Sequence, residues 1–258
     1  AGDPEAVLFC PYGHCEAELP AGRYTVYATR GPEYELGVAE IELGANQAQR
    51  VELQVRRSVD TSGWISADLH VHAQPSHDSG VTPPDRVITM VSEHVEFMIS
   101  SDHDFVTDFR PVVEELGMEP WIATDVGVEV TPIELGHYIA FPVVHDYLAE
   151  AGGAFDWTGM EPGEILDGLN EMGRGPEAPV TMVAHPRDGI LGYFDQYGFT
   201  PYEGAPGLGG EEGDVVAMSR SLPFREHTLH LLDLEGARRR NMVPFTPTWS
   251  RVQGNWFA

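Results

Sequence analysis

The sequence predicts an α/β fold preceded by a short β-rich segment. Three observations carry this reading. Residues up to Thr61 show the β-prone, turn-punctuated pattern of strands. From Trp64 onward, short apolar runs alternate with helical stretches, which suits α/β layers or a barrel of parallel strands. Glycine (28) and proline (20) are abundant among the 258 residues, which favours many loops over a helical bundle.

In the segment 1–61, Leu19-Pro20-Ala21-Gly22 reads as a turn and Tyr24–Thr29 as a strand. Tyr34–Leu43 and Gln49–Val55 continue the pattern around Gly44-Ala45-Asn46. The run Leu19–Val26 resembles part of a small β-sandwich module of the carboxypeptidase-regulatory type, which implies an accessory role. Cys10 and Cys15 are the only cysteines, and a disulfide closing their loop is the favoured expectation. It would place the protein outside the reducing cytosol, periplasmic or secreted. A zinc site using His14, or two unpaired thiols, stay open alternatives.

The region 62–258 reads as the main domain. Ile65–Val71 is expected as a strand and Pro83–His94 as a helix opened by prolines, where a missing N–H costs least. Glu96–Ser101 follows as a strand and Asp108–Leu116 as a helix. Trp121–Thr131 is one long strand or a pair, and His137–Val144 is another strand. Glu161–Met172 is a helix and Val180–Ala184 a strand. Glu203–Asp214 is a glycine- and acid-rich loop, and Glu226–Leu234 is open between strand and helix.

With 15 basic residues, all arginine, against 41 acidic ones, the net charge is −26. Such a surface repels phosphate backbones and anionic lipid, which argues against nucleic-acid or membrane-surface binding, and it attracts divalent cations. The expected main cause of this charge is a solvated acidic surface tuned for solubility or salt. No apolar run approaches the roughly 18–20 residues of a membrane span. The chain opens on Ala1-Gly2-Asp3 without a signal sequence, in text that reads like the interior of a domain.

The chemistry centres on Asp68-Leu69-His70-Val71-His72. Side chains alternate along a strand, so His70 and His72 point the same way and can grip a divalent metal together. Other histidines and acids follow apolar runs in the same manner. His103 follows Phe97–Asp102, Glu129 follows Val126-Gly127-Val128, and His185 follows Val180–Ala184, while His137 begins a run after Gly136. A lone histidine at a strand end is more often hydrogen-bonded than ligating. Five of them with a carboxylate would leave many polar nitrogens to satisfy, and a metal satisfies them together.

Five ordered motifs make the pattern specific: Asp68–His72, Ser101-Asp102-His103, Gly127-Val128-Glu129, Gly136-His137 and His185-Pro186. Their order resembles the PHP (polymerase and histidinol phosphatase) family. Trp64–Ala67, Glu129-Val130-Thr131 and His185-Pro186-Arg187 are most similar to its carbaryl-hydrolase-like metallohydrolases. The resemblance covers about Trp64 to Arg187. It implies a distorted (β/α)7 TIM-like barrel with two or three divalent metals (zinc, manganese or iron) at the carboxyl face.

Carried over by residue, His70 and His72 would hold one metal, with Glu129 as a bridging carboxylate. Glu129, His137 and His185 would hold a second, and His103 with Asp78 a third. His77 is a competitor for Asp78. Asp68 and Asp102 would orient imidazoles and raise their basicity, and Asp104 and Asp108 would do the same or serve as loop and cap acids. Arg187 would clamp a substrate oxyanion or pair with a nearby acid. Activated water would then attack a small anionic or ester substrate, a phosphoester first among them.

One family element is missing. A late Asp-x-His should follow the His-Pro motif, and none occurs after Arg187; His227, His230 and Asp233 come in the wrong order and spacing. The chain is expected to be a fragment whose barrel is completed by a further segment or chain. The alternative is a shortened relative, a non-catalytic extracellular structural or binding subunit on a degenerate scaffold.

Overall fold

The computed structural model describes residues 7–132, 136–186, 192–193, 199–200 and 205–206. The chain divides into two compact units that interleave along the sequence. The first takes the described residues up to Leu69, with Val81–Met98 and Phe109–Thr124. The second takes His70–Gly80, Ile99–Asp108 and the chain from Asp125 onward. Neither coincides with the segments 1–61 and 62–258.

In the first unit, β1 (Gly22–Ala28) pairs antiparallel with β2 (Gly37–Leu43), in a register running from Gly22↔Leu43 to Ala28↔Gly37. Tyr24, Val26, Ile41 and Ala39 share the half-buried face, and Arg23, Thr25, Glu40 and Glu42 point to solvent. The expected β-sandwich is, among the described residues, this single two-stranded sheet. Between Val7 and Thr61 only Gly37 is buried, so the segment encloses no core of its own. Gln49–Val55, expected as a strand, joins no ladder; the nearest pairing is the isolated Tyr34↔Arg57 bridge. Cys10 and Cys15 form the expected disulfide.

The expected strand Ile65–Val71 pairs only at β3 (Ala67–Asp68), parallel to β4 (Phe97–Ser100), with β5 (Ala123–Val126) next in order. Trp64 and Ile65 lie exposed ahead of it. Helix α1 (Pro83–Ser92) starts where the prolines place it, with the Thr82 hydroxyl accepting from the Asp85 N–H. Helix α2 (Arg110–Leu116) begins after Asp108 and ends at Gly117 in the left-handed region.

The second unit holds β6 (Val128–Val130), β7 (His137–Phe141) and β8 (Val180–Ala184), ordered β6-β7-β8. Both pairings are antiparallel, where a barrel would have parallel strands. Between β6 and β7 there is only a short connection, and a parallel crossover needs a dozen residues or more. Helix α3 (Pro162–Glu171) is opened by a Glu161–Glu164 capping box and buries Ile165, Leu166 and Leu169. These join Val128, Val130, Tyr138, Ala140 and Val183 in one core. Alternation therefore turns Glu129 and His137 to the opposite face of the sheet. A further pair, β9 (Phe199–Thr200) and β10 (Ala205–Pro206), is antiparallel.

Gly127 separates β5 from β6 because backbone approaches it closely. A Cβ there would lie 2.5 Å from the Ser100 carbonyl oxygen and 3.0 Å from that of Ala140. Gly127→Ala is therefore expected to destabilise the fold by about 2–3 kcal/mol, as overpacking does. Urea titration of the variant checks this; an unchanged midpoint would mean that the backbone yields easily.

Candidate metal centre

The site is assembled by hydrogen bonds that begin in the Ser101-Asp102 dipeptide. The Val71 N–H donates to Ser101 Oγ at 2.7 Å, and the Ser101 N–H donates to the Val71 carbonyl at 2.9 Å. The Ala73 N–H donates to Asp102 Oδ1 at 2.6 Å. Val71 and Ala73 are buried on this side, so the intervening His70 and His72 turn to the other. The Asp102 carboxylate, itself buried, also accepts from the Thr107 hydroxyl at 2.6 Å. Burial raises its pKa, and the Ala73 and Thr107 bonds partly offset this. Asp102 therefore supports the site through the backbone and not, as expected, by holding an imidazole. Asp102→Ala would orphan the Ala73 N–H and is expected to cost about 1–3 kcal/mol, read from thermal unfolding of the metal-free protein.

Glu129 is the hub. Its side chain is fully buried. His70 Nε2 lies 3.0 Å and His72 Nε2 2.8 Å from Oε2, with His103 Nδ1 at 3.4 Å. His137 Nδ1 lies 3.1 Å and His185 Nε2 3.3 Å from Oε1. Burial alone would raise its pKa, but the field of His70 and hydrogen bonds from His137, His185 and His70 pull it well below the usual carboxylate range.

Asp78 forms a second focus. His72 Nδ1 lies 3.0 and 3.1 Å from its two oxygens, and His103 Nε2 lies 3.4 Å from Oδ2. The Ser76 hydroxyl donates to Oδ1 at 2.7 Å. Burial works against ionisation of Asp78, but hydrogen bonds from His103, His72 and Ser76 hold it well below the ordinary range. For His72, burial opposes the charged form, yet hydrogen bonds to Asp78 and Glu129 and their charges raise its pKa to about 9. Exposed His77 stacks on the His103 ring with centroids 4.5 Å apart.

Among the described residues, three sets offer ligand atoms within 4.8 Å of one another: His70, His72 and Glu129; His72, Asp78 and His103; His103, Glu129 and His137. His185 belongs to the same gathering, its Nε2 2.9 Å from His137 Nδ1. All seven expected ligands thus meet within the second unit. A carboxylate offers about four lone-pair sites, and five imidazole nitrogens face this one. Two ring nitrogens as close as those of His137 and His185 need a proton or a cation between them. The mixed nitrogen and oxygen donors suit zinc, manganese or iron, so the residues fit a divalent metal.

Asp68 ends β3 in the first unit. Asp108 accepts from the Tyr147 hydroxyl at 3.0 Å. Asp104 clamps the end of β6: its N–H donates to the Glu129 carbonyl at 2.8 Å, and its Oδ1 accepts from the Thr131 N–H and from Trp157 Nε1. Asp104 and His185 are both non-glycine residues with positive φ, 49° and 27°, a strain tolerated where the surroundings fix it. Arg187, His227, His230 and Asp233 lie outside the described residues.

Sequence reasoning passed over Ser76 and Thr131. Thr131 ends the Glu129-Val130-Thr131 motif and Ser76 lies two residues before Asp78, and their hydroxyls are where a supporting partner of a histidine would be sought. Among the described residues no helix is long and apolar enough to cross a membrane. Comparison of the chain with protein-family models, with curated proteins and with solved structures finds no match.

Proposed function

We propose that this protein is a metal-dependent hydrolase of the PHP type, acting on a small phosphoester or related ester. The observation that carries the reading is the buried Glu129 carboxylate with five imidazole nitrogens within 3.4 Å of its two oxygens. Two sides of one carboxylate, each faced by a histidine pair, are what a bridging ligand between two cations requires. His70 and His72 would hold one, His137 and His185 the other. Divalent cations there would supply Lewis acidity and lower the pKa of a water nucleophile.

The chain's own contribution is positioning. Glu129 stays ionised without solvent, and Asp78 orients His72 through Nδ1. The side chains of the five histidines around Glu129 are at most 13% exposed, whereas Asp78 is 29% exposed, so substrate would enter along the Asp78 and His77 edge. Arg187, next to the His185-Pro186 motif, is the proposed anion clamp.

Metal analysis of protein purified without chelator tests the proposal, together with release of nitrophenol from model phosphoesters. At least one equivalent of transition metal and manganese- or zinc-dependent hydrolysis are expected. Less than one equivalent and no hydrolysis would overturn it. Tight metal binding without any hydrolysis would favour the binding-subunit alternative.

A further inference from the structure

His103 faces both halves of the cluster, with Nδ1 toward Glu129 and Nε2 toward Asp78, and two of the three ligand sets claim it. A neutral imidazole carries its proton on one nitrogen and offers only the other to a cation. Which set His103 serves is therefore a question of tautomer, and Thr131 answers it.

The Thr131 hydroxyl donates its single hydrogen to the Glu129 carbonyl at 3.0 Å. Its lone pairs are then left for His103 Nδ1, only 2.7 Å away. The other neighbour of Nδ1 is a Glu129 carboxylate oxygen, an acceptor, at 3.4 Å. Both neighbours call for a hydrogen on Nδ1; Asp78 calls for one on Nε2, but from 3.4 Å against 2.7 Å at Thr131. Thr131 cannot swing away easily: it is buried, and its N–H is tied to Asp104 Oδ1 at 3.0 Å.

Resting on the reading of the cluster as a metal centre, we propose that Thr131 is a positioning residue that keeps the His103 proton on Nδ1. His103 then offers Nε2 to a cation shared with Asp78 and is withheld from the Glu129–His137 side. The histidine requirement at Glu129 is met by His70, His72, His137 and His185, and His103 defines a separate, more exposed position. Thr131 acts only through His103 and touches no reacting atom.

The test is long-range proton–nitrogen NMR of the imidazoles in the full chain, metal-free at a pH where the His103 ring is neutral, then with zinc. His103 is expected as the Nδ1–H tautomer in wild type and in Thr131→Ser, which keeps the hydroxyl. In Thr131→Val the ring should populate both tautomers, and the weakest zinc equivalent should lose about 10–100-fold in affinity, as loss of a supporting partner does. On zinc addition only the Nε2 resonance of His103 should take the metal shift. A wild-type Nε2–H tautomer, a zinc shift at Nδ1, or an unchanged tautomer in Thr131→Val would overturn the proposal. The metal-free measurement separates the two readings. A Thr131-dependent Nδ1–H tautomer in a chain that binds no zinc would uphold the role of Thr131 and remove the hydrolase.

Discussion

Replacing Glu129 by glutamine is expected to take metal and activity together. The carboxylate is shared by the His70–His72 and His137–His185 pairs, so the change strikes both positions at once. Losing a mere supporting partner lowers metal affinity about 10–100-fold, and loss of a bridging ligand should exceed that. Metal content should fall below one equivalent, and nitrophenyl phosphoester hydrolysis to background. The metal-free fold should suffer too. Glutamine is nearly isosteric, but it removes the charge that five imidazoles share, and breaking a buried ion pair costs on the order of 3 kcal/mol. Lower thermal stability without metal, alongside lost metal, is the expected signature. Retained hydrolysis would mean that Glu129 bridges nothing.

The motif text made the candidate ligands other than Asp78 legible because each of them ends or begins a short apolar run. The structure gathers His70, His72, Asp78, His103, Glu129, His137 and His185 in one unit. The choice of Asp78 over His77 also agrees with the geometry, since Asp78 faces two imidazoles and His77 stacks outside one. Element limits were less legible. The apolar pattern of Ile65–Val71 is that of a strand, but beyond Asp68 the Ser101 and Asp102 side chains replace a neighbouring strand as hydrogen-bond partners. Periodicity reports burial and not which group satisfies a backbone N–H. For the same reason Asp102 is legible as important while its partners, the Ala73 N–H and the Thr107 hydroxyl, are not. Among the described residues the segment up to Thr61 alternates correctly yet builds no sandwich, because two strands alone leave their inward face half-buried and enclose no core.

Metal affinity should rise steeply with pH, because the proton on His72 competes with the cation. In the metal-free fold His72 is held protonated up to about 9 by Asp78 and Glu129, against an unperturbed value of 6.5. The sign for folding follows. A raised pKa contributes stability that is fully present below about 6.5 and is lost as pH climbs through about 9. Asp78 and Glu129 are shifted down, so their contribution is present above the ordinary carboxylate range and is lost on acidification. Without metal the fold should thus be most stable in mildly acidic solution. A cation needs the neutral ring, so binding at the His72 position should release close to one proton at pH 7, and apparent affinity should rise about tenfold per pH unit up to about 9. Between pH 6 and 9 this amounts to roughly a thousandfold. Manganese titration calorimetry in buffers of differing ionisation enthalpy reads the proton count directly. Asp78→Asn removes one of the two carboxylates that hold the proton, so its curve should reach the plateau at lower pH. A flat dependence in the wild type would show that His72 does not ligate, since no ligating imidazole with so raised a pKa could escape the competition.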